Sequence, residues 1–463
     1  MSSADLLVLG AGPAGLAAAW RAASRGLSVT VLERSQAVGG LASSFEIAGV
    51  RVDHGSHRLH PTTPPGVMAD LRALLGNDLQ TRPRRGRLRI GGRWVGFPLR
   101  AGETMRALPR PLLSRIAFDS LTGPLRRSRA ETYADVLRRG LGPGLYDALY
   151  GPYAIKLWGL PGERIDADQA RKRVAADTPA KIAARVLRGG AGSGQGRVFH
   201  YPRRGYGQIA ESLADAAVAA GAEIRLGTVA DEIDLHQHSV VLGTADGEWH
   251  EARHVFSTIP LPALAHISSP GPPLATVEAA ARLKFRAMVL VYLVHEGGRF
   301  SPYDAHYLPG LETPVTRFSE PANYRDSADD PRDRSVLCFE IPCTRGDALW
   351  EADDADLAGR AQAALAVSGL PPARPVEVEV RRLAHVYPVY EVGYARHLEG
   401  LEAWAAALPT LTSFGRLGLF THDNTHHALV MAYDAVDAFG SEGFDRIAWA
   451  AARERFAGHV VED

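Results

Sequence analysis

Cysteine is nearly absent: the 463 residues hold two, Cys338 and Cys343. Both fall in a segment that reads as a strand (Val336 to Ile341) and the residues just after it. With no second pair nearby they make neither a disulfide framework nor a good zinc site, so buried structural thiols are expected. Long apolar runs are missing too. None reaches the roughly 18 residues that a spanning helix needs, so no membrane-crossing helix is expected. An excess of either charge is also lacking, with 52 basic and 52 acidic side chains. That balance removes any global reason to expect nucleic-acid binding. Lysine is scarce, occurring only at 156, 172, 181 and 284, so nearly every cation is an arginine. No internal repeat is present. The apolar start runs straight into a glycine motif and not into a cleavage site, which reads as folded protein and predicts a reducing, cytoplasmic compartment.

What is present begins at once. Leu6-Leu7-Val8-Leu9 is a short apolar run of the kind a buried parallel strand shows. The alanine-rich stretch Ala14 to Ser24 predicts a helix, with Trp20 in the core, and Leu27 to Leu32 predicts a second strand. Between the first two elements stands Gly10-Ala11-Gly12-Pro13-Ala14-Gly15, a G-x-G-x-x-G turn inside one βαβ unit. The first glycine allows the tight turn and the second admits a pyrophosphate to the backbone. The third lets the helix lie close on the strands, and the helix N-terminus then offers unpaired N–H groups to phosphate. Glu33 ends the second strand, where an acid is expected on the adenosine ribose hydroxyls. Strand, helix and acid in register predict a dinucleotide site.

Further along, Arg82 to Arg129 contains thirteen arginines against Glu103 and Asp119. Leu88 to Leu99 reads as a hairpin turning at Gly91-Gly92, and broken helix follows. The segment reads as a solvated cap surface, as an entrance that attracts an anionic substrate, or as a patch touching an anionic membrane surface. Residues 131 to 190 are helical in pattern, and Ala191 to Gly196 reads as a loop. Ile209 to Ala220 predicts a helix leading into a strand at Ala222 to Leu226. Residues 283 to 342 and 376 to 387 are strand-rich, and a glycine turn at Gly415 precedes a helix from about His426 to Phe439.

Several motifs resemble known flavoproteins. Glu33-Arg34 followed by Gly39-Gly40-Leu41 resembles the extended nucleotide motif of the flavin amine oxidase superfamily, which implies FAD in preference to NAD. Asp53-His-Gly55-Ser56-His57-Arg-Leu-His60 is similar to the G-x-H-x-x-H segment of UDP-galactopyranose mutase, with a related stretch in protoporphyrinogen-oxidase-like proteins. Pro152 to Gly159 and Tyr201 to Gln208 resemble further signatures of that group. So do Thr316-Arg317, Tyr387-Pro-Val-Tyr390 and Gly415-Arg416-Leu-Gly-Leu-Phe420. The resemblance covers most of the chain. It implies that Pro13, Ala14, Ser56, His57, Val229, Thr258, Arg416, Asn424, Thr425 and His426 join the glycines, Glu33, Arg34 and Leu41 around noncovalent FAD. It also implies that His57, Arg317 and Tyr387 face the reacting centre, and that Arg173 and Tyr390 contact substrate.

The departures carry weight. Where the mutase has an L-D-M-D run, this chain has Asp423-Asn424-Thr425-His426. Where it has a pair of arginines for a nucleotide-sugar diphosphate, this chain has Arg173 and Asp177, and an aspartate repels a diphosphate. Each candidate also has a plainer reading. His57 reads as a packed histidine or as a proton donor and acceptor beside the flavin. Arg317 reads as a surface salt bridge, as a support for an anionic flavin, or as a grip on an acidic substrate. Tyr387 and Tyr390 read as aromatic packing or as one substrate-facing ring. Lys156 and Trp158 read as structural packing. His422, His426, His427 and Asp423 read as flavin contacts or helix caps in preference to a metal site, so no metal is expected.

The expected fold is α/β, with α+β character in the second domain. A Rossmann-like FAD-binding domain (residues 1–80, 200–275 and 405–463) interleaves with an antiparallel-sheet substrate domain with a helical cap (81–199 and 276–404). The expected activity is an FAD-dependent oxidoreductase acting on a small molecule, an anionic one if the arginine-rich segment is its entrance. The alternatives are a mutase-like flavin isomerase with no net redox change, and a flavoprotein without catalysis. The oligomeric state has no signature in the sequence.

Overall fold

A computed structural model describes residues 2–98, 106–122, 130–173 and 198–461. Asp177 and the glycine loop at 191–196, both singled out above, lie outside the described residues. The chain opens with strand β1 (Ser2–Leu9), helix α1 (Pro13–Ala23) and strand β2 (Val29–Glu33), the predicted βαβ unit. A hairpin of β3 (Ser44–Ile47) and β4 (Val50–Asp53) follows, then α2 (Pro65–Leu75). Next come β5 (Leu79–Pro83) and the arginine-rich hairpin of β6 (Gly86–Ile90) and β7 (Arg93–Phe97), which turns at Gly91-Gly92 with both φ positive. Helices α3 (Arg110–Thr122), α4 (Tyr133–Leu141), α5 (Gly151–Trp158) and α6 (Ala167–Arg173) carry the chain to β8 (Val198–Pro202) and α7 (Gln208–Ala219).

Five strands then come in quick succession: β9 (Glu223–Leu226), β10 (Ala230–Leu235), β11 (Val240–Thr244), β12 (Trp249–Ser257) and the two-residue β13 (Ser268–Ser269). The long strand β14 (Lys284–Glu296) precedes β15 (Ala305–Tyr307), β16 (Arg317–Ser319) and β17 (Arg334–Cys343). After helix α8 (Asp354–Val367) come β18 (Pro375–Val389), α9 (Tyr394–Ala407), β19 (Leu411–Ser413), α10 (Thr425–Asp437) and α11 (Arg446–Ala457).

Two large sheets result. The first runs β13-β10-β11-β12-β1-β2-β9, with β19 beside the last residues of β12. Its centre is parallel: β1 lies between β2 and β12, so the glycine turn leaves from the carboxyl end of the middle strand. Open α/β sheets bind ligands at that edge. Both faces are covered, α1, α7 and α10 packing on one side and α9 on the other. The second sheet runs β18-β14-β17-β16-β15-β6-β7 and is antiparallel except where β6 joins β15. This mixed α/β architecture, with a Rossmann-like unit beside an antiparallel sheet, is the one expected.

Alternation along β14 and β17 sets the faces of the second sheet. Ala287, Val289, Val291, Leu293, Leu337, Phe339, Ile341 and Cys343 point to the outer face, beneath α8. Met288, Leu290, Tyr292, Val336 and Cys338 point inward, where Ile47, Val50 and Val52 of the β3–β4 hairpin cover them. The hairpin therefore ties the first sheet to the second and delivers residues 54–57 into the gap between them. Cys338 and Cys343 are free and buried, as expected, one on each face. Trp20 is partly buried and packs against the α1 core. Among the described residues no helix is long and apolar enough to cross a membrane.

Lys156, near the end of α5, is buried and structural. Its Nζ donates to the carbonyl oxygens of Leu308 (2.5 Å), Gly310 (2.8 Å) and Val315 (2.6 Å). Three acceptors match the three N–H donors of an ammonium. Arg286 fastens the same helix end, donating to the carbonyls of Lys156 and Leu157. Replacing Lys156 by methionine strips the donor from buried carbonyls and is expected to cost about 3 kcal/mol. The thermal midpoint of the holoprotein should fall by several degrees. Lys156→Arg should not restore it, because a planar guanidinium cannot occupy a three-carbonyl cage.

Candidate functional site

The glycine turn is shaped by contacts that sequence spacing only implies. Gly10 has φ +98, and a Cβ there would stand 2.5 Å from Thr258 Oγ1. A Cβ on Gly15 would run into the carbonyl oxygen of Gly10 and lie 3.2 Å from Val8 Cγ1, so close helix-strand packing depends on this glycine. A Cβ on Gly12 would meet nothing within 4 Å, which leaves open space at the head of α1 where Pro13 occupies the first turn. Glu33 is buried at the end of β2 and accepts from Ala11 N (2.8 Å) and Ser35 N (2.9 Å). Gly39 donates its N–H to Ala11 O (2.7 Å), and a Cβ on Gly40 would lie 3.6 Å from Gly12 Cα. The second glycine pair is thereby laid against the first.

Four more segments close around this turn. Thr228 N donates to Glu33 O, which sets Val229 beside the ribose acid; Val229 is 45% exposed and its carbonyl accepts from Ala245 N. Thr258 bonds Leu9 O through both its N–H (3.0 Å) and its hydroxyl (2.8 Å). Gly415 has φ +79 and a Cβ there would touch Ala14 Cβ at 3.2 Å. Leu41 is half-buried against the hairpin core, whereas Arg34 is exposed at the rim. These residues fit a dinucleotide. They offer a helix N-terminus with open space before it for phosphates, an anchored carboxylate for ribose hydroxyls, and an exposed Val229 beside it.

Opposite lies the inner face of the second sheet. Glu340 breaks the apolar run of β17 and stands on that face, accepting from Ser56 N (2.9 Å) and from Arg317 at Nε (3.0 Å) and Nη2 (2.7 Å). Arg317 is therefore neutralised by a forked, nearly buried ion pair and also donates to Ser56 O. Its ordinary readings as a surface salt bridge or as a whole charge for flavin or substrate both change: the pair is internal, and Glu340 already takes the charge. Arg58 is held in a similar way, to Asp304 (3.0 Å) and to the hydroxyls of Tyr324 (3.0 Å) and Tyr307 (3.3 Å). Ser56 Oγ hydrogen-bonds to Tyr324, and Gly55 adopts φ +90 to bring this segment over Glu340.

His57 stacks on Tyr206 with ring centroids 5.2 Å apart, and its Nε2–H donates to His54 O at 3.0 Å. Burial pushes its pKa down, against the pull of Asp53, so the ring is neutral at pH 7 and Nδ1 keeps a lone pair. Tyr206 in turn bonds the side chain of Thr425 at the start of α10, which brings His57 next to that helix N-terminus. Asn424 caps α10, and His426 is buried behind it.

Tyr387 lies between two guanidinium groups, Arg173 and Arg416, each 4.8 Å from its ring centroid. Arg173 also lies over Trp158 at 5.1 Å, and Trp158 packs edge-on to Tyr387. His422 is fully buried beneath these rings; burial, Arg173 and Arg416 drive its pKa well below the usual range. Tyr390 corrects the expectation of a substrate contact. It is 2% exposed, its hydroxyl donates to Phe420 O (3.1 Å), and its ring stacks on Tyr394. A side chain so placed is core.

The remaining histidines form a structural tie. Asp423 Oδ1 faces Nδ1 of His427 (3.3 Å) and of His459 (3.0 Å), a grouping that reaches from the start of α10 to the end of α11. Asn424 N also lies 3.2 Å from the Nδ1 of His427, at the cap of the same helix. Glu340, Arg58, Tyr324 and His459 were missed from sequence. Only Glu340 carried a signal there, as a lone acid in the apolar run Val336 to Ile341.

Comparison with known proteins agrees with this geometry. Residues 8–74 match the NAD(P)-binding Rossmann-like domain, and residues 166–422 match the flavin containing amine oxidoreductase family. Among solved structures, reduced UDP-galactopyranose mutase superposes with a TM-score of 0.83 at 20% identity, covering 99% of this chain and 100% of that one. A putative protoporphyrinogen oxidase from Exiguobacterium sp. 255-15 gives 0.72 at 21% identity over 94% and 98% of the two chains. Putrescine oxidase bound to putrescine gives 0.64 at 18% identity over 97% and 99%. The family match spans more than half of the sequence, and FAD is the cofactor it brings. The chain belongs to the flavin containing amine oxidoreductase family.

Proposed function

We propose that the protein is an FAD-dependent oxidoreductase that removes a hydride, or its equivalent, from a C–N, C–C or C–O bond of a small anionic molecule. One observation carries the substrate class. Rings and guanidinium groups follow one another along the inner face: Arg84 lies over Phe97 (4.8 Å), Phe97 packs against Tyr307, Arg317 lies over Tyr307, and Arg173 lies over Tyr387, which is near enough to act electrostatically on Arg317. In this series Arg317 is neutralised by Glu340, while among the described residues Arg84 and Arg173 meet no carboxylate within 4 Å. The two ends are thus cationic and the middle is aromatic, which suits an anionic molecule with an apolar body.

Bound FAD supplies the redox chemistry; the protein supplies position and electrostatics. Arg173 and Arg84 hold the anionic ends. Tyr387 and Tyr307 line the slot and exclude water from it, with the buried Trp158 packed edge-on behind Tyr387. Neutral His57 offers Nδ1 as a proton acceptor, its other nitrogen being fixed on the His54 carbonyl. The glycine turn and α10 hold the cofactor in both this reading and the isomerase one, so they do not separate the two.

Anaerobic mixing of holoenzyme with carboxylate- and phosphate-bearing amines and alcohols is the test. The oxidised-flavin band should bleach with one of them, and the product should be lighter by two hydrogens. Arg173→Gln should raise KM for that substrate at least tenfold, the loss of a charge-assisted contact worth about 1.5–3 kcal/mol. Conversion of UDP-galactopyranose to an isomer of equal mass by dithionite-reduced enzyme would replace this reading by the isomerase.

A further inference from the structure

A second cluster of arginines lies away from the flavin crevice, in an open cleft of about 590 Å³. Three guanidinium groups reach it from three segments. Arg82 comes from the end of β5 and Arg85 from the turn into β6. Arg299 follows the Gly297-Gly298 turn, where both φ angles are positive. Phe300, Ser301 and Asn323 complete the wall. Among the described residues none of the three meets a carboxylate within 4 Å. Arg82 donates only to Arg325 O (3.4 Å) and Arg299 only to Asn323 Oδ1 (3.1 Å).

Nearby acids are engaged elsewhere. Asp304 accepts the backbone N–H of Arg85 and the guanidinium of Arg58, so it supports the cleft from behind without neutralising it. Glu320 is fully buried and accepts from Phe300 N (2.7 Å), Ser301 N (3.0 Å) and Ser335 Oγ (2.7 Å). Asn323 Nδ2 pins the same loop by donating to Ser301 O and Tyr303 O, both at 2.8 Å. The walls are therefore held in place before any ligand arrives. Arg89 and Arg317, on the neighbouring strands, are paired with Glu312 and Glu340. In the cleft three arginines with no carboxylate partner among the described residues line one space.

We propose that this cleft binds a phosphate group. Three planar forks suit the several acceptor oxygens of a phosphate, whereas a carboxylate has two oxygens and is satisfied by a single fork. The phosphate belongs either to a soluble phosphate ester or to an anionic lipid headgroup, and Arg85 directly precedes the arginine-rich hairpin. The site does not depend on the reaction at the flavin.

The test uses FAD-loaded protein, so that the dinucleotide cradle cannot take the probe and flavin absorbance reports a folded chain. Sodium pyrophosphate binding is measured by calorimetry. Binding to phosphatidylcholine vesicles, with and without phosphatidylglycerol, is measured by co-sedimentation. The variants are R82Q/R85Q/R299Q and a charge-matched control, R93Q/R106Q/R110Q, from the same basic segment. Saturable pyrophosphate binding by wild type, weakened at least tenfold in the first variant and within twofold in the control, establishes the site with a soluble ligand. Binding to phosphatidylglycerol vesicles that is lost only in the first variant establishes it with a lipid headgroup. No saturable binding of either probe, or equal weakening in both variants, overturns the proposal.

Discussion

Gly12→Leu will give a folded protein that purifies without colour. A Cβ at this position meets no atom within 4 Å, and its φ of −77° is open to any L residue, so the chain itself loses little. The leucine side chain instead occupies the head of α1, where the pyrophosphate must approach the backbone. FAD retention should fall by more than a hundredfold, while circular dichroism matches that of wild-type protein stripped of its flavin. Gly15→Ala tests the opposite limit. Its methyl group must displace the Gly10 carbonyl, a backbone atom that cannot yield, so the βαβ unit itself is destabilised. Gly15→Ala should lower the stability of the stripped protein and Gly12→Leu should not. In wild type, acid precipitation should release FAD, since the linkage is expected to be noncovalent. Full flavin retention by Gly12→Leu would place the phosphates elsewhere.

Breaking the Arg317–Glu340 pair on one side will be among the most destabilising changes in the second sheet. Both side chains are largely buried, and the bond is forked with Nε and Nη2 on two carboxylate oxygens. Glu340→Ala leaves a buried cation without its partner and strips the acceptor from Ser56 N, at an expected cost of about 3–5 kcal/mol. Arg317→Ala leaves a buried carboxylate and should cost a similar amount. The double variant Arg317→Met with Glu340→Leu should recover much of that loss, because replacing a whole buried pair by apolar groups is often near neutral. Denaturant midpoints of wild type, Arg317→Met, Glu340→Leu and the double variant give the coupling, and additive losses would show that the pair is not a unit. The same set separates structure from chemistry. If Arg317 only anchors Ser56 and the histidine after it, the double variant should keep substrate affinity and lose turnover through a misplaced His57.

The elements were legible where period and punctuation agree. The first βαβ unit, the Gly91-Gly92 hairpin, the helix before β9 and the strand-rich middle are all found within a few residues of where periodicity placed them. So is the backbone shape at Gly10, Gly12 and Gly15, because a tight turn, an open helix head and a close crossing each make a local demand. The family and its FAD followed from motifs that are themselves local.

Pairing across the chain was not legible. Tyr387 and Tyr390 stand three residues apart and look alike in sequence, yet the fold sets one between two guanidinium groups and closes the other under Tyr394 and Phe420. Arg317 read as a surface salt bridge or as a charge for flavin or substrate because Glu340, its internal partner, is 23 residues away on the next strand. His459 is 36 residues from Asp423, and Arg299 is separated from Arg82 and Arg85 by still more chain. Sequence alone determined the cradle, since its geometry is written in short-range backbone constraints. Only the tertiary structure decided which charges are cancelled and which are left for a ligand, because neutralisation depends on approach within a few ångströms between strands and helices that the sheet order brings together.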